Sequence, residues 1–220
     1  YKAVGFDMDG TFMDTKVDYI KLANVVFDEL VDSGIPEKHI IRDKGPKSEL
    51  DSGIKWLIEN GRGKDIDVLY DKIADRSTRV EMEYADFSKP FDGAVETVLA
   101  LRKRGYKTGI LTRGGHSYAE YILGRSDVLD IFDAIVARDD FPYDESKPSP
   151  KAMMNLGNMM GVKPQEILYL GDHRMDWMTA RDSGAGFFGV LTGGFSVDDW
   201  MDADPDISII DSVASLLDII

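Results

Sequence analysis

Two aspartates one residue apart follow the first apolar stretch of the chain, in Val4-Gly5-Phe6-Asp7-Met8-Asp9-Gly10-Thr11. Alternate side chains of a strand point the same way, so Asp7 and Asp9 could both project from its end. Gly10 marks a sharp turn just beyond them. Two adjacent carboxylates repel one another, and a hard divalent cation such as Mg²⁺ relieves that repulsion. An aspartate held there could also act as a nucleophile toward phosphorus. The alternative is a strand that ends in a solvated Asp-Gly turn.

Three further polar clusters could contribute to the same chemistry. In Thr112-Arg113-Gly114-Gly115, a threonine hydroxyl and the backbone N–H groups of a glycine-rich turn can hold a phosphate. Asp172 and Asp176 are four residues apart and would share a helix face if a helix began there, which suits a metal ligand or an acid at a helix N-terminus. Nearby prolines keep Lys147 out of a regular helix, where it could neutralise phosphoryl charge. The alternatives are an ordinary turn and a solvated lysine.

Strands that alternate with helices must position these clusters. Apolar runs predict strands at 4–6, 106–111, 132–137, 167–170 and 187–191, and helices at 94–104, 117–125, 150–160, 177–183 and 213–219. This alternation predicts an α/β fold with a parallel sheet and helices on both faces. Ligands bind beyond the carboxyl ends of such strands, which is where the polar clusters lie.

The stretch after the first strand has a different character. Apolar residues recur at helical spacing in 16–33, 48–59 and 66–84, and no strand signal interrupts them. We therefore predict an all-α domain at 15–87, inserted into a core formed by 1–14 and 88–220.

Composition excludes several classes of function. The net charge of −14 argues against nucleic acid as a partner, because phosphate contacts need clustered Lys and Arg. No apolar run approaches the length of a membrane span, so we expect no membrane association. The chain has no cysteine, which fits a reducing cytoplasm. The sequence does not predict an oligomeric state.

Four segments of the chain resemble, in their order and spacing, the four successive motifs of the haloacid dehalogenase superfamily of phosphohydrolases. They are Asp-Met-Asp-Gly-Thr, Leu-Thr-Arg-Gly, Lys-Pro-Ser-Pro and Gly-Asp-His-Arg-Met-Asp. The resemblance covers nearly the whole chain, and the helical insertion resembles the small helical cap of that superfamily. It implies a Rossmann-like core, a Mg²⁺ cofactor and a small phosphorylated metabolite as substrate. Chain length and cap type resemble the phosphoglycolate phosphatase branch.

The resemblance also implies roles for the paired aspartates. Asp7 is then the nucleophile, which forms an aspartyl-phosphate, and a Mg²⁺ ligand. Asp9 is the general acid and base, and its backbone carbonyl is a further ligand. By the same resemblance, the position that corresponds to Asp9 is occupied by tyrosine in the dehalogenases of the superfamily and by alanine in its phosphonate hydrolases. Asp9 favours phosphate esters, because a departing alkoxide needs a proton.

The remaining motif residues take their implied roles in the same way. Thr112 and the backbone N–H of Arg113 hold the phosphoryl oxygens, and Lys147 screens the charge between nucleophile and phosphate. Asp172 binds Mg²⁺ directly, whereas Asp176 acts through water or orients Lys147.

We therefore predict a Mg²⁺-dependent phosphomonoesterase. The motifs leave open a sugar phosphomutase of the β-phosphoglucomutase type, and a non-catalytic phospho-ligand binding protein is a further alternative.

The loop between two predicted helices of the insertion concentrates cations, namely Arg42, Lys44 and Lys47. They are candidates for recognising the part of the substrate beyond the phosphate. The alternative is an ordinary polar loop.

Overall fold

The computed structural model describes residues 1–42 and 46–220. The described chain forms two compact units, here named the core unit (Tyr1–Lys16 and Ala85–Ile220) and the helical unit (Val17–Tyr84). Their assignment as catalytic core and cap, with boundaries after residues 14 and 87, stays a prediction. None of the described helices has both the length and the apolar character needed to cross a bilayer.

The strands of the described chain all belong to the core unit. They are β1 (Ala3–Phe6), β2 (Met13–Asp14), β3 (Lys89–Pro90), β4 (Lys107–Leu111), β5 (Ala134–Val136), β6 (Ile167–Gly171), β7 (Gly186–Val190) and β8 (Ser208–Ile210). Six of them form a parallel sheet in the order β5-β4-β1-β6-β7-β8. Every residue of β1 and of β6 is buried, because both faces of these central strands are covered.

The α-helices are divided between the two units. The helical unit contains α1 (Tyr19–Asp32), α2 (Pro46–Glu59) and α3 (Ile66–Met82), and the core unit contains α4 (Ala94–Lys103), α5 (His116–Arg125), α6 (Pro150–Met160), α7 (Arg174–Ser183) and α8 (Val197–Ala203). Parallel strands connected by helices confirm the predicted α/β fold class.

One layer of the core lies between α6 and the sheet. Helix α6 packs on β4, on β5 and on its neighbour α7. Met153 and Leu156 of α6 are fully buried there, in one cluster with Leu111, Val136 and Tyr169. This packing holds the start of α6, and Lys147 just before it, against the sheet edge at which β4 and β6 end.

In the helical unit, α1 packs against both α2 and α3. Leu30, Leu50 and Leu57 are fully buried between these helices. Arg76 of α3 donates to Glu29 of α1 at 2.8 Å, so an ion pair joins the two helices beside the apolar contact. The described residues of this unit include no strand.

The sequence predictions differ from the structure mainly in the last quarter of the chain. Helix α8 and strand β8 were not predicted, because each is short: α8 has seven residues, three of them aspartates, and β8 has three residues. The segment predicted as a helix at 213–219 is a 3-10 helix at Val213–Asp218. The antiparallel pair of β2 and β3 was also missed, since strands of two residues leave no periodic pattern.

Asp133, which precedes the edge strand β5, forms hydrogen bonds with residues of β4 and α4. Its carboxylate accepts from the backbone N–H of Thr108 at 2.9 Å, from Arg102 at 2.8 Å and from Lys107 at 3.0 Å. Partial burial alone would raise the pKa of Asp133, but these donors outweigh burial and lower it. The ionised carboxylate therefore stabilises the folded state.

We predict that Asp133→Ala lowers the free energy of unfolding by about 1–3 kcal/mol at neutral pH, the cost of lost bonds to a charged group. A folded-state pKa below its unfolded value gives stability that is present above the unfolded pKa and lost as the pH falls through the folded pKa. The difference from wild type, measured by urea unfolding, should therefore shrink as the pH is lowered below about 3.9, the ordinary pKa of an aspartate. Asp130→Ala, at an exposed neighbouring aspartate, is the control. A pH-independent difference would contradict the prediction.

Candidate active site

Three buried aspartates meet at the carboxyl edge of the parallel sheet. Asp7 follows β1, Asp172 follows β6, and Asp176 lies in the first turn of α7. One carboxylate oxygen from each residue lies within 4.8 Å of the others. We call these residues the carboxylate cluster. The backbone N–H of Asp7 donates to the carbonyl of Leu170 at 2.8 Å, which continues the pairing of β1 with β6 into the site.

Asp172 also accepts hydrogen bonds from residues outside the carboxylate cluster. Its Oδ1 accepts from the hydroxyl of Thr11 at 3.3 Å, and its Oδ2 accepts from the backbone N–H of Gly194 at 2.6 Å. A Cβ at Gly10, whose φ is +81°, would lie 2.6 Å from Asp172 Oδ2, and a Cβ at Gly193 would lie 2.0 Å from it. Glycine is required at both positions because the backbone approaches the carboxylate so closely.

Lys147 joins two members of the carboxylate cluster. Its Nζ donates to Asp7 Oδ1 at 2.5 Å and to Asp176 Oδ1 at 2.6 Å, and its side chain is 3% exposed. Burial alone would lower the pKa of the ammonium, but the charges of Asp176 and Asp7 outweigh burial and raise it to about 12. Lys147 is therefore a buried, charged residue.

Three carboxyl groups share this one lysine, and burial opposes the ionisation of two of them. Burial, followed by the charge of Asp176, raises the pKa of Asp7 well above its usual range despite Lys147. Burial and Asp176 also raise the pKa of Asp172. Three carboxylates around one ammonium are a poor arrangement unless another cation joins them. Oxygen donors at this spacing fit a hard divalent ion such as Mg²⁺.

Tyr169 takes part in the same network and was not predicted from the sequence. Its hydroxyl lies 2.9 Å from the carbonyl of Leu111 and 3.1 Å from both Asp176 Oδ1 and Lys147 Nζ. The hydroxyl thus links the end of β4 to Asp176 and Lys147. A tyrosine within an apolar strand is most often a core residue, so the sequence carried no signal for this contact.

Asp9 and Thr112 form a second group next to the cluster. Thr112 Oγ1 accepts from the backbone N–H of Gly114 at 2.9 Å and lies 3.4 Å from Asp9 Oδ2. The other oxygen of Asp9 accepts from the hydroxyl of Tyr118 at 2.9 Å. Each carboxylate oxygen of Asp9 thus has a hydroxyl neighbour, whereas Asp7 lies beside the charged groups of Lys147 and Asp176. Sequence reasoning also missed Tyr118.

Arg113 contributes differently from Thr112. Its guanidinium lies 3.1 Å from the sulfur of Met175, and its backbone carbonyl accepts from Arg138 at 2.7 Å. The backbone N–H of Gly114 and the hydroxyl of Thr112 fold the loop tightly after β4. Such a loop has the form that holds an anion, and the predicted contact of the Arg113 N–H with phosphate stays a prediction.

The predicted specificity residues belong to the helical unit. The guanidinium of Arg42 lies 3.8 Å above the ring of Phe27 and donates to Glu49 at 3.3 Å and to Asn24 at 3.2 Å. These contacts orient the guanidinium toward Phe27, Glu49 and Asn24, and the side chain stays 51% exposed. Lys44 lies outside the described residues, and the side chain of Lys47 is not described.

Proteins with related sequence and fold are known. The family model of haloacid dehalogenase-like hydrolases matches residues 4–190, so the chain belongs to that family, as its motifs predicted. A phosphoglycolate phosphatase of Nitrosospira multiformis is 26% identical over 87% of this chain and 84% of its own length. An N-acetylmuramic acid 6-phosphate phosphatase of Pseudomonas aeruginosa is 27% identical over 83% of this chain and 78% of its own.

Solved structures share the fold. A hydrolase from Pseudomonas syringae has a TM-score of 0.66 at 24% identity, over 100% of this chain and 97% of that one. A phosphatase of the same family from Thermococcus onnurineus has a TM-score of 0.62 at 24% identity and the same coverage. The chain thus has the fold of this hydrolase family, and its curated relatives include phosphatases.

The buried lysine generates a prediction about stability. Lys147→Met should lower the free energy of unfolding in chelator by about 3–5 kcal/mol, because Asp7 and Asp176 then stay buried without their shared cation. Urea unfolding measures the loss. Lys151→Met is the matched control: Lys151 is 51% exposed and pairs with Asp144 and Glu145 on the surface, so its removal should leave the unfolding midpoint nearly unchanged. Equal effects of the two changes would contradict the prediction.

Proposed function

We propose that this phosphatase hydrolyses the phosphate monoester of a small metabolite through an aspartyl-phosphate on Asp7. One observation carries the proposal: Lys147 lies between Asp7 and Asp176 in a buried cluster that also contains Asp172. The family of the chain and its curated phosphatase relatives support it. Mg²⁺, if held by the carboxylates of Asp7 and Asp172 and the backbone carbonyl of Asp9, with Asp176 acting through water or orienting Lys147, would supply charge stabilisation for the phosphoryl oxygens.

In the first step a carboxylate oxygen of Asp7 attacks phosphorus, and the bond from phosphorus to the ester oxygen breaks. Asp9 in its protonated form donates its proton to that departing oxygen. Lys147, close to the attacking carboxylate, offsets negative charge that develops on the phosphoryl group. In this proposal, the hydroxyl of Thr112 and the backbone N–H of Arg113 hold the phosphoryl oxygens.

In the second step water attacks phosphorus, and the bond from phosphorus to the Asp7 oxygen breaks. Asp9, now a carboxylate, takes the proton from water, so that the enzyme returns to its starting state. The sum is ester plus water giving alcohol plus inorganic phosphate. In a phosphomutase, a sugar hydroxyl would replace this water. The names of the curated relatives favour hydrolysis.

The substrate is proposed to be a small phosphorylated metabolite, with phosphoglycolate the first to test because several curated relatives act on it by name. We propose that the helical unit is a cap that excludes bulk water, and that Arg42, with Lys44 and Lys47, contacts the part of the substrate beyond the phosphate. The absence of cysteine from the sequence supports a cytoplasmic location.

The function is tested by incubating purified protein with Mg²⁺ and a panel of small phosphate esters that includes 2-phosphoglycolate and sugar phosphates. Release of inorganic phosphate in step with loss of ester supports a phosphatase. Transfer of the phosphoryl group to a second sugar position without phosphate release would identify a mutase. Binding of esters without either reaction would identify a non-catalytic binding protein.

We predict that Asp7→Asn lowers turnover by about 10³-fold or more, because the amide cannot form an acyl-phosphate. The amide keeps the shape of the side chain and can still accept from Lys147. The variant should therefore stay folded, which urea unfolding checks. Asp14→Asn, at a partly exposed aspartate on β2 that pairs with Lys16, is the control for the same chemical change. A variant at Asp7 that retained more than about a tenth of wild-type turnover would sink the nucleophile assignment.

We also predict that activity requires Mg²⁺ and disappears in chelator. Ca²⁺ should inhibit, because it accepts more oxygens at longer distances and would engage both oxygens of Asp7. A readout independent of activity is thermal unfolding: Mg²⁺ should raise the Tm of wild type, since a cation that binds only the folded state stabilises it. Asp172→Asn should abolish that rise. Full activity of metal-free protein in chelator would refute the ligand assignment.

A further inference from the structure

The side chain of Tyr118 contacts both Asp9 and the loop that follows β4. Its hydroxyl donates to Asp9 Oδ1 at 2.9 Å, and the hydroxyl of Thr112 lies 3.4 Å from Asp9 Oδ2. Tyr118 lies on α5 and is fully buried. The tyrosine hydroxyl is thus a buried polar group whose hydrogen bond goes to a proposed proton-transfer residue.

The position of the Tyr118 ring is fixed by packing. A Cβ at Gly114 would lie 3.0 Å from Tyr118 Cδ1 and 3.3 Å from both its Cε1 and Thr112 Oγ1. The ring therefore lies directly against the backbone of this loop, which leaves it little freedom to rotate away. Packing of the ring directs the hydroxyl at Asp9, so the aspartate side chain is oriented by a residue in the first turn of α5.

The chemistry required of Asp9 makes a hydroxyl a suitable neighbour. Asp9 must be protonated when the ester oxygen departs and ionised when water attacks. A hydroxyl both donates and accepts, so it can hydrogen-bond to the carboxylate and to the carboxylic acid alike. A neutral hydroxyl can hold the same side-chain orientation through both steps.

We propose that Tyr118 is a positioning residue that keeps the Asp9 carboxyl aligned for proton transfer to the leaving group. This inference rests on the proposed function and extends it to a residue outside the four motifs. It predicts a specific kinetic signature. Removing the Tyr118 hydroxyl should impair esters whose leaving group needs a proton and spare esters whose leaving group does not.

The test compares Tyr118→Phe with wild type on benzyl phosphate and 4-nitrophenyl phosphate. The two esters carry similar aromatic groups, but benzyl alkoxide needs a proton to depart and 4-nitrophenolate does not. We expect kcat/KM for benzyl phosphate to fall by about tenfold or more, and that for 4-nitrophenyl phosphate by less than about threefold, because general-acid catalysis contributes about 10²–10⁴-fold. This constant reports steps up to departure of the leaving group. Its ratio for the two esters does not depend on the fraction of folded protein.

Two comparisons separate positioning from a structural role. Tyr121→Phe makes the same change on α5, where the hydroxyl donates to Asp86 at 2.5 Å on the surface, and should alter neither ester. In an Asp9→Asn background, Tyr118→Phe should cause no further loss, because the acid that it positions is already absent. A structural defect would lower the double variant again.

The results that would contradict the positioning role of Tyr118 differ from those that would contradict the proposed function. Equal losses on both esters, no loss on either ester, or a further loss in the Asp9→Asn background would overturn the positioning role of Tyr118 and leave the proposed function intact. The proposed function itself fails differently: wild type would hydrolyse neither ester, or Asp7→Asn would retain its rate on 4-nitrophenyl phosphate. In that case the inference falls with the function on which it rests.

Discussion

The ion pairs of Lys147 with Asp7 and Asp176 are the interaction on which the rest of the site depends. An unpaired carboxylate buried at the sheet edge would be costly, and two adjacent ones more so. The lysine compensates only part of the charge, because Asp172 belongs to the same cluster. A divalent cation would offset the remaining repulsion between the carboxylates. The parallel sheet is what brings these residues together, since β1 and β6 are neighbours and their carboxyl ends lie side by side.

Close backbone approach is the second constraint on the site. A Cβ at Gly171 would lie 2.2 Å from the Cβ of Asp176, and the Asp172 carboxylate leaves equally little room at Gly10 and Gly193. The segments after β1, β6 and β7 can converge on the carboxylates only because these positions have no side chain. Asp172 thereby gains a backbone N–H from Gly194 without losing its place in the cluster. The glycines of the motifs are spacing elements for the carboxylates as much as turn formers.

Most of the fold and much of the site could be predicted from the sequence, for one physical reason. Long apolar runs predict central parallel strands, and the polar residues at their carboxyl ends must then meet at one edge. The structure does bring Asp7, Thr112, Lys147 and Asp172 to that edge. Tyr169 and Tyr118 could not be found in this way, because a buried aromatic residue in an apolar pattern indicates core and its hydroxyl leaves no trace in the periodicity. Short elements such as α8 and β8 were missed because they span too few residues to show a period.

The two aspartates at the end of β1 show how neighbouring residues of one type acquire different chemistry. Asp7 lies among charged groups, where burial and Asp176 oppose its ionisation and Lys147 favours it. Asp9 lies among the hydroxyls of Tyr118 and Thr112. The cation beside Asp7 favours the anion that attacks. A hydroxyl beside Asp9 can donate and accept, which suits a carboxyl that must both give and take a proton. The turn at Gly10 and the loop after β4 create this difference over a separation of one residue, and sequence spacing alone does not reveal it.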